Sequence, residues 1–278
     1  MGIALLRLGE IDGAVKHYER ALSLKPNYPE AHSNLGALLL QQQRWTEAVE
    51  HLAYAVMCRP DDEVLRLYLG TALLWLDKLD EAAEQFQQAL RLKPDYGEAK
   101  RYLGVTYSRL GEILKTQGNL EGAVEQYKRA VGFGLRDARV YGELGVVLSQ
   151  LGRYGEAVEN LSKAVELEPD SVSGLNNMAW VLATCPEDGV RDGGRAVELA
   201  ERANRMVGGG DVVVLDTLAA AYAEAGRYTE AVGVCEKAYE KARGMGQEGR
   251  ARQIMERLEM YRAGRPYRME VVSGGGKR

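Results

Sequence analysis

Small and apolar residues return at one fixed interval along the first third of the chain. Three separate positions share an interval of 34 residues: Pro26, Pro60 and Pro94; Ala14, Ala48 and Ala82; and Gly2, Gly36 and Gly70. A single globular fold gives no reason for three positions to repeat in step. The pattern therefore predicts a stack of similar units, each of which contacts only its neighbours.

Each period contains two amphipathic segments, which predict two antiparallel helices. The apolar positions of the second period fall on one face of each helix: Leu35, Gly36 and Leu39 in the first, and Ala48, Leu52 and Ala55 in the second. The small residues Gly36 and Ala48 allow the two helices to approach closely. Pro60 cannot continue the second helix and helps to set the turn into the next unit.

Two units depart from the regular spacing. In the fourth, the second-helix residues arrive seven positions late. Because seven residues are close to two helical turns, we predict one long helix from about Gly97 to Gln117, followed by a turn at Gly118-Asn119. In the sixth, the loop from Thr184 to Gly194 is five residues longer than usual, and Asp192 is placed to cap the helix that follows.

The two ends of the chain differ from the repeats. Gly2 already occupies the middle of a first helix, which predicts a truncated first unit in a repeat array over residues 1–245. Residues 246–264 are predicted to form one amphipathic capping helix, with Ile254, Leu258 and Tyr261 on one side. We expect residues 265–278, which end in a glycine run and two basic residues, to be disordered.

Composition and charge exclude several classes of function. The 278 residues carry a net charge of -4, so no nucleic acid is expected, although contact of the basic segment 243–278 with nucleic acid or an anionic membrane stays open as an alternative. The three cysteines form no C-x-x-C pair. No phosphate loop, nucleophile elbow or H-E-x-x-H motif is present, so we predict no cofactor, no metal and no catalytic residue. No apolar stretch is long enough for a membrane segment.

The recurring residues resemble those of tetratricopeptide-repeat (TPR) proteins from about Met1 to Arg243. The resemblance implies an all-α fold, a right-handed solenoid of about seven helix-turn-helix units with a C-terminal capping helix. It also implies a function, because such proteins are non-catalytic scaffolds that bind a peptide or partner protein in the concave groove of their superhelix. The identity of the partner does not follow from these residues.

The last third has a more particular resemblance. Asn176–Pro186, Leu215–Gly226 and Tyr261–Arg268 look like the C-terminal end of long bacterial repeat proteins, some of which carry a membrane-embedded glycosyltransferase-like half. This implies an alternative function, in which the repeats recruit substrates to a larger membrane protein and the chain is a fragment of it. Localisation is cytoplasmic by default for a chain without export signals, and periplasmic or on the exported side for such a fragment.

Candidate groove residues follow from the same resemblance, since the exposed inner side of each first helix lines the groove in TPR proteins. Mapping by register selects ten residues: Asn34, Tyr68, Trp75, Arg101, Tyr102, Arg109, Glu143, Asn176, Asn177 and Trp180. The aromatic residues are either partner anchors or packing within the solenoid turns. The two arginines either pair with acidic groups of a partner or form a solvated face. The register also places Asp216 and Thr217 in the groove of the seventh unit.

Two groove chemistries of the family are incomplete here. A clamp for a C-terminal carboxylate lacks its matching Lys and Asn, because Ser33 and Ala37 stand at those positions. A ladder of asparagines for peptide backbone retains only Asn34 and Asn177. End-to-end self-association is a third possibility, because the truncated first helix is expected to leave apolar residues poorly covered: Ile3, Leu6 and the inner sides of Val15 and Tyr18.

Overall fold

The computed structural model describes residues 11–270, and this part of the chain is all-α. It contains fourteen α-helices, one short 3-10 helix and no strand within those residues. The prediction of a repeat of helix-turn-helix units is therefore confirmed for them. The chain forms two compact units, one of Met1–Ile113 with Lys128–Leu135 and the other of Leu114–Tyr127 with Arg136–Arg278.

The first unit contains two complete helical hairpins after a single leading helix. Its helices are α1 (Ile11–Leu24), α2 (Pro29–Gln41), α3 (Trp45–Cys58), α4 (Glu63–Trp75) and α5 (Leu79–Leu92). Helix α1 packs on α2, and Val15 is buried while Tyr18 is half-buried. The expectation that their inner sides are poorly covered was therefore wrong. Gly2, Ile3 and Leu6, on which the truncated first helix was argued, lie outside the described residues.

The boundary between the units falls within the fourth repeat. Its helices are α6 (Gly97–Thr116) and α7 (Leu120–Gly132). Helix α6 has 20 residues, whereas the regular first helices have 13, as the seven-residue displacement predicts. Gly118 then adopts a positive φ of 78° in the turn, a conformation that glycine accepts without strain.

The second unit continues with three hairpins and a last helix. Its further helices are α8 (Ala138–Gln150), α9 (Tyr154–Leu167), α10 (Val172–Thr184), α11 (Gly193–Met206), α12 (Val212–Glu224), α13 (Tyr228–Gly244) and α14 (Glu248–Arg262). The long loop between α10 and α11 contains the 3-10 turn Asp188–Val190. Asp192 caps α11 as predicted, because its carboxylate accepts the Arg195 amide at 2.8 Å.

A glycine in the first helix of a hairpin sets how closely the second helix packs. A methyl group on Gly36, Gly70 or Gly145 would come within 2.6–2.7 Å of a large side chain, from Leu52, Phe86 and Leu161 respectively. Real Cβ atoms essentially never approach so closely, so a larger residue at these positions would force the facing side chain or its helix to shift. The repeated glycine in the sequence thus corresponds to one repeated contact between paired helices.

Helix α14 lies in the segment assigned to a capping helix and buries one apolar face. Ile254, Leu258 and Tyr261 are almost fully buried against the second unit. The structure differs from the predicted disordered tail at residues 265–270, which pack on the same unit. The amide of Met269 donates to the Thr184 carbonyl at 2.8 Å, and Tyr267 joins the apolar core. Tertiary contacts therefore order a segment whose composition alone gave no helix or strand.

Candidate functional site

A polar cleft lies in the second unit, lined by α10, α12 and α14. We name it the Arg250 cleft; it has a volume of about 300 Å³. Its walls are Asn176, Asn177, Trp180, Val213, Asp216, Thr217, Arg250, Gln253 and Arg257. The first helices of the sixth and seventh repeats supply six of these residues, and the last helix supplies three.

A second cleft adjoins it and shares three of its residues. We name it the Glu168 cleft; it has a volume of about 560 Å³ and is more open than the first. The shared residues are Asn176, Asn177 and Val213. The remaining walls are mostly polar or acidic: Glu168, Asp170, Ser171, Val172, Ser173, Asp211 and Val214. The two clefts are therefore continuous along the N-terminal halves of α10 and α12.

Of the residues that line both clefts, Asn176 is the most deeply buried. Its side chain is only 8% exposed, and its Oδ1 has no hydrogen-bond partner within the described residues. A buried carbonyl oxygen without a donor destabilises a fold by about 1–3 kcal/mol. A donor from a water molecule or from a ligand would remove this cost.

The floor of the Arg250 cleft contains a buried ion pair. The guanidinium of Arg257 contacts the two carboxylate oxygens of Asp216 at 3.0 and 2.6 Å. Burial raises the pKa of the Asp216 carboxyl, and the nearby positive charges of Arg257 and Arg250 oppose that rise. Burial acts to lower the pKa of Arg257, yet Asp216 raises it above its ordinary value. Since Arg257 and Asp216 neutralise each other, Arg250 is the cation that remains for a ligand.

The chain's own C-terminal segment closes one end of the Arg250 cleft. The Arg257 guanidinium lies 5.6 Å from the ring of Trp180 and 5.4 Å from the ring of Tyr267. Arg268 then pairs with Glu224 at 2.6 Å. A ligand therefore has access along the N-terminal halves of α10 and α12, whereas residues 265–270 cover their C-terminal ends.

The structure brings together three of the ten predicted groove residues in this site: Asn176, Asn177 and Trp180. Glu143, also in the second unit, pairs with Lys115 at 2.6 Å and does not line either cleft. Asp216 and Thr217, which the register placed in the groove, do line the Arg250 cleft.

The other six predicted residues belong to the first unit and include four aromatic or amide groups. Trp75 is 56% exposed and stacks on Trp45 at 5.6 Å. Tyr102 stacks on Phe86 at 5.7 Å, and Tyr68 and Asn34 are half-buried. Trp75 is thus the most accessible of these aromatic side chains, whereas Tyr102 contributes to packing.

The two predicted groove arginines, Arg101 and Arg109, already have partners within the fold. Arg101 lies over the ring of Tyr102 at 4.8 Å. Arg109 donates to the Leu74 carbonyl at 3.0 Å and pairs with Asp77 at the same distance. Arg109 therefore ties adjacent repeats together, and its guanidinium would have to leave these contacts to meet a partner.

Sequence reasoning missed the three cleft residues that α14 supplies. Arg250, Gln253 and Arg257 are spaced by three and four positions, so they share one face of a helix. That spacing is visible in the sequence, but the apolar side of Ile254, Leu258 and Tyr261 predicts only a capping role for this helix. A polar stripe beside the apolar stripe is the signal that indicates a second role for this helix.

Among residues 11–270, no group of His, Cys, Asp or Glu side chains is arranged to hold a metal ion. The helices of the same residues are all too short or too polar to cross a membrane.

Sequence-family comparisons match four stretches of the chain. A model described as TPR repeat matches residues 2–43, and models described as tetratricopeptide repeat match 63–133, 138–171 and 213–245. Together they cover more than half of the chain. No sequence among the curated proteins is significantly similar to it.

Solved structures of similar fold include YrrB, described as a TPR protein with an unusual peptide-binding site. YrrB is 18% identical, with a TM-score of 0.55, over 75% of this chain and 99% of its own. The C-terminal part of a TPR repeat-containing protein from Cytophaga hutchinsonii is 17% identical, with a TM-score of 0.55. The match covers 86% of this chain and 93% of that one. At these identities the likeness establishes the fold alone. MamA is 26% identical over 61% of this chain and 95% of its own, with a TM-score of 0.47.

Proposed function

Because this chain belongs to the tetratricopeptide-repeat family, whose members generally serve as interaction scaffolds, we propose that it is a non-catalytic scaffold that binds a segment of a partner protein in the Arg250 and Glu168 clefts. Two alternatives stay predictions from the sequence: the recruitment of substrates to a glycosyltransferase-like half, and end-to-end self-association.

The proposed function rests on one observation, the buried amide oxygen of Asn176 that has no hydrogen-bond donor among the described residues. A carboxamide that is 8% exposed, lines two continuous clefts and has an oxygen without a donor is suited to receive an N–H group from a ligand. Protein segments supply such groups along their backbone and side chains. The surrounding Asn177, Thr217 and Gln253 add further polar contacts.

Site-specific crosslinking tests this function. A photo-crosslinking amino acid is placed at Val213, which is 42% exposed and lines both clefts, and in a matched chain at Met245, which is 60% exposed and lies outside them. Both chains are irradiated in lysate of the source cells. We expect a discrete crosslinked protein from position 213 that is absent from position 245. Equal products from the two positions, or products from 245 alone, would contradict the assignment.

A further inference from the structure

The two clefts carry opposite charge, although they share their central residues. The Arg250 cleft contains Asp216, Arg250 and Arg257, and the first and last of these form the buried ion pair. Arg250 is exposed and forms no hydrogen bond or ion pair among the described residues, although its charge acts on the Asp216 carboxyl. One uncompensated positive charge therefore lies at this end.

The Glu168 cleft has the reverse character. It contains three carboxylates, of which Asp170 pairs with Arg202 at 2.6 Å. Asp211 accepts the amides of Val213 and Val214 at the start of α12 through one oxygen, and Glu168 is exposed. Neither Asp211 nor Glu168 has a cationic partner in the part of the chain that is described. This end is therefore negative.

The centre between the two charged ends is neutral and polar. It consists of Asn176, Asn177 and Val213, the residues that both clefts share. The unpartnered Oδ1 of Asn176 lies here. A ligand that spans both clefts passes over Asn176, whose buried Oδ1 lacks a donor within the described residues.

From this arrangement we propose that the clefts recognise a bipolar segment of a partner protein, with an acidic side chain at Arg250, a basic side chain at Glu168 and Asp211, and an N–H donor at Asn176. The inference rests on the proposed function and specifies the chemistry of its ligand. A purely acidic segment would meet Glu168 and Asp211 with like charge, and a purely basic one would meet Arg250. Juxtaposed like charges select against the wrong partner, and complementary ones favour encounter.

A random peptide display library is the probe that tests this specificity. Peptides are selected on the full chain, and their charge composition is compared with that of peptides selected on Arg250→Glu and on Glu168→Lys. Both residues are exposed and form no hydrogen bond or ion pair in the described residues, so the variants are expected to fold. Glu240→Lys, an exposed change on α13 outside the clefts, is the matched control.

The expected result is a change in charge preference in opposite directions. The natural chain and the Glu240→Lys control should enrich peptides that contain both an acidic and a basic residue. Arg250→Glu should shift the enrichment to basic peptides and Glu168→Lys to acidic ones. A selected bipolar peptide should lose about fivefold in affinity on either charge reversal.

A steric variant separates failure of this inference from failure of the proposed function. Val213→Trp fills the space that the two clefts share, and Met245→Trp places the same bulk outside them. Peptides that are lost on Val213→Trp but insensitive to both charge reversals would overturn the bipolar ligand and leave the cleft as the binding site. Peptides that bind Val213→Trp and Met245→Trp equally, or no enrichment at all, would overturn both.

Discussion

Asp216 and Arg257 form the ion pair on which the Arg250 cleft is built, and their burial decides what a substitution does. Arg257→Met leaves a buried carboxylate without its cation, so we expect a loss of about 3–5 kcal/mol in the free energy of unfolding. Asp216→Leu combined with Arg257→Met removes both charges and should cost less than the single change. Chemical denaturation at neutral pH measures both values.

The same helix supplies a matched control for this prediction. Arg262 pairs with Glu236 at 2.7 Å, but both side chains are about half exposed. Arg262→Met should therefore cost under about 1 kcal/mol. If Arg257→Met costs no more than Arg262→Met, the interpretation of a buried, mutually neutralising pair is wrong.

His51 is expected to make the first unit less stable in acid. Its Nδ1 lies 2.9 Å from Nδ1 of His32, so one ring donates a proton and the other accepts it. Burial lowers the pKa of His51, and the neighbouring His32 lowers it further. The unfolded chain therefore binds this proton at a higher pH than the folded chain. The stability that neutral His51 contributes is complete above its ordinary pKa of 6.5 and falls as the pH drops below it.

Denaturation at pH 8 and pH 5 measures this effect. We expect a loss of about 1 kcal/mol from the His51 contact on acidification, the net value of one hydrogen bond. His51→Gln should reduce the pH dependence. His17→Gln, at the equivalent but exposed position one repeat earlier, is the matched control. An equal effect of the two substitutions would exclude the histidine contact as the cause.

At the scale of helices, the repeat glycines and an ordinary helical glycine should respond to alanine in opposite ways. Gly145→Ala places a Cβ 2.6 Å from Leu161 Cγ and 3.1 Å from the Ala157 carbonyl, so we expect a loss of about 1–3 kcal/mol. Gly233, inside α13, has open space around its Cα, and Gly233→Ala should stabilise by about 0.5–1 kcal/mol. Thermal unfolding of both variants gives the signs, and a loss at both positions would contradict the close-approach account.

The helical pairs could be predicted from sequence because their determinants are local and repeated. The 34-residue period links Gly36 and Gly70, and the seven-residue displacement in the fourth unit both predicts the long α6 and shifts the period at Gly145. Residues 265–270 could not be predicted in the same way. They have no periodicity, and their order comes from Trp180, Glu224 and Thr184, which are distant in sequence. The role of Arg257 was missed for the same reason, since its partner Asp216 is 41 residues away.

Across the whole molecule, the three cysteines differ in their access to solvent and should report on folding. Cys58 is exposed, whereas Cys185 and Cys235 are buried in the second unit. Burial raises the pKa of Cys235 to about 12 and also raises that of Cys185, so neither forms a reactive thiolate at neutral pH.

A thiol reagent should accordingly modify one cysteine rapidly in the native chain and all three in denaturant. Cys58→Ser should abolish the rapid phase and keep the two slow ones, whose rates then follow opening of the second unit. Two or more rapid thiols in the native chain would show that the second unit is not packed as described.

The paired clefts of the second unit are the central claim about the whole molecule, and one affinity comparison tests them most directly. The protein captured by crosslinking at position 213 is titrated against the natural chain, Val213→Trp and Met245→Trp. We predict a loss of at least tenfold in affinity for Val213→Trp, because the indole occupies the space that both clefts share, and no change for Met245→Trp. Unchanged affinity for Val213→Trp would mean that the partner binds elsewhere on the chain.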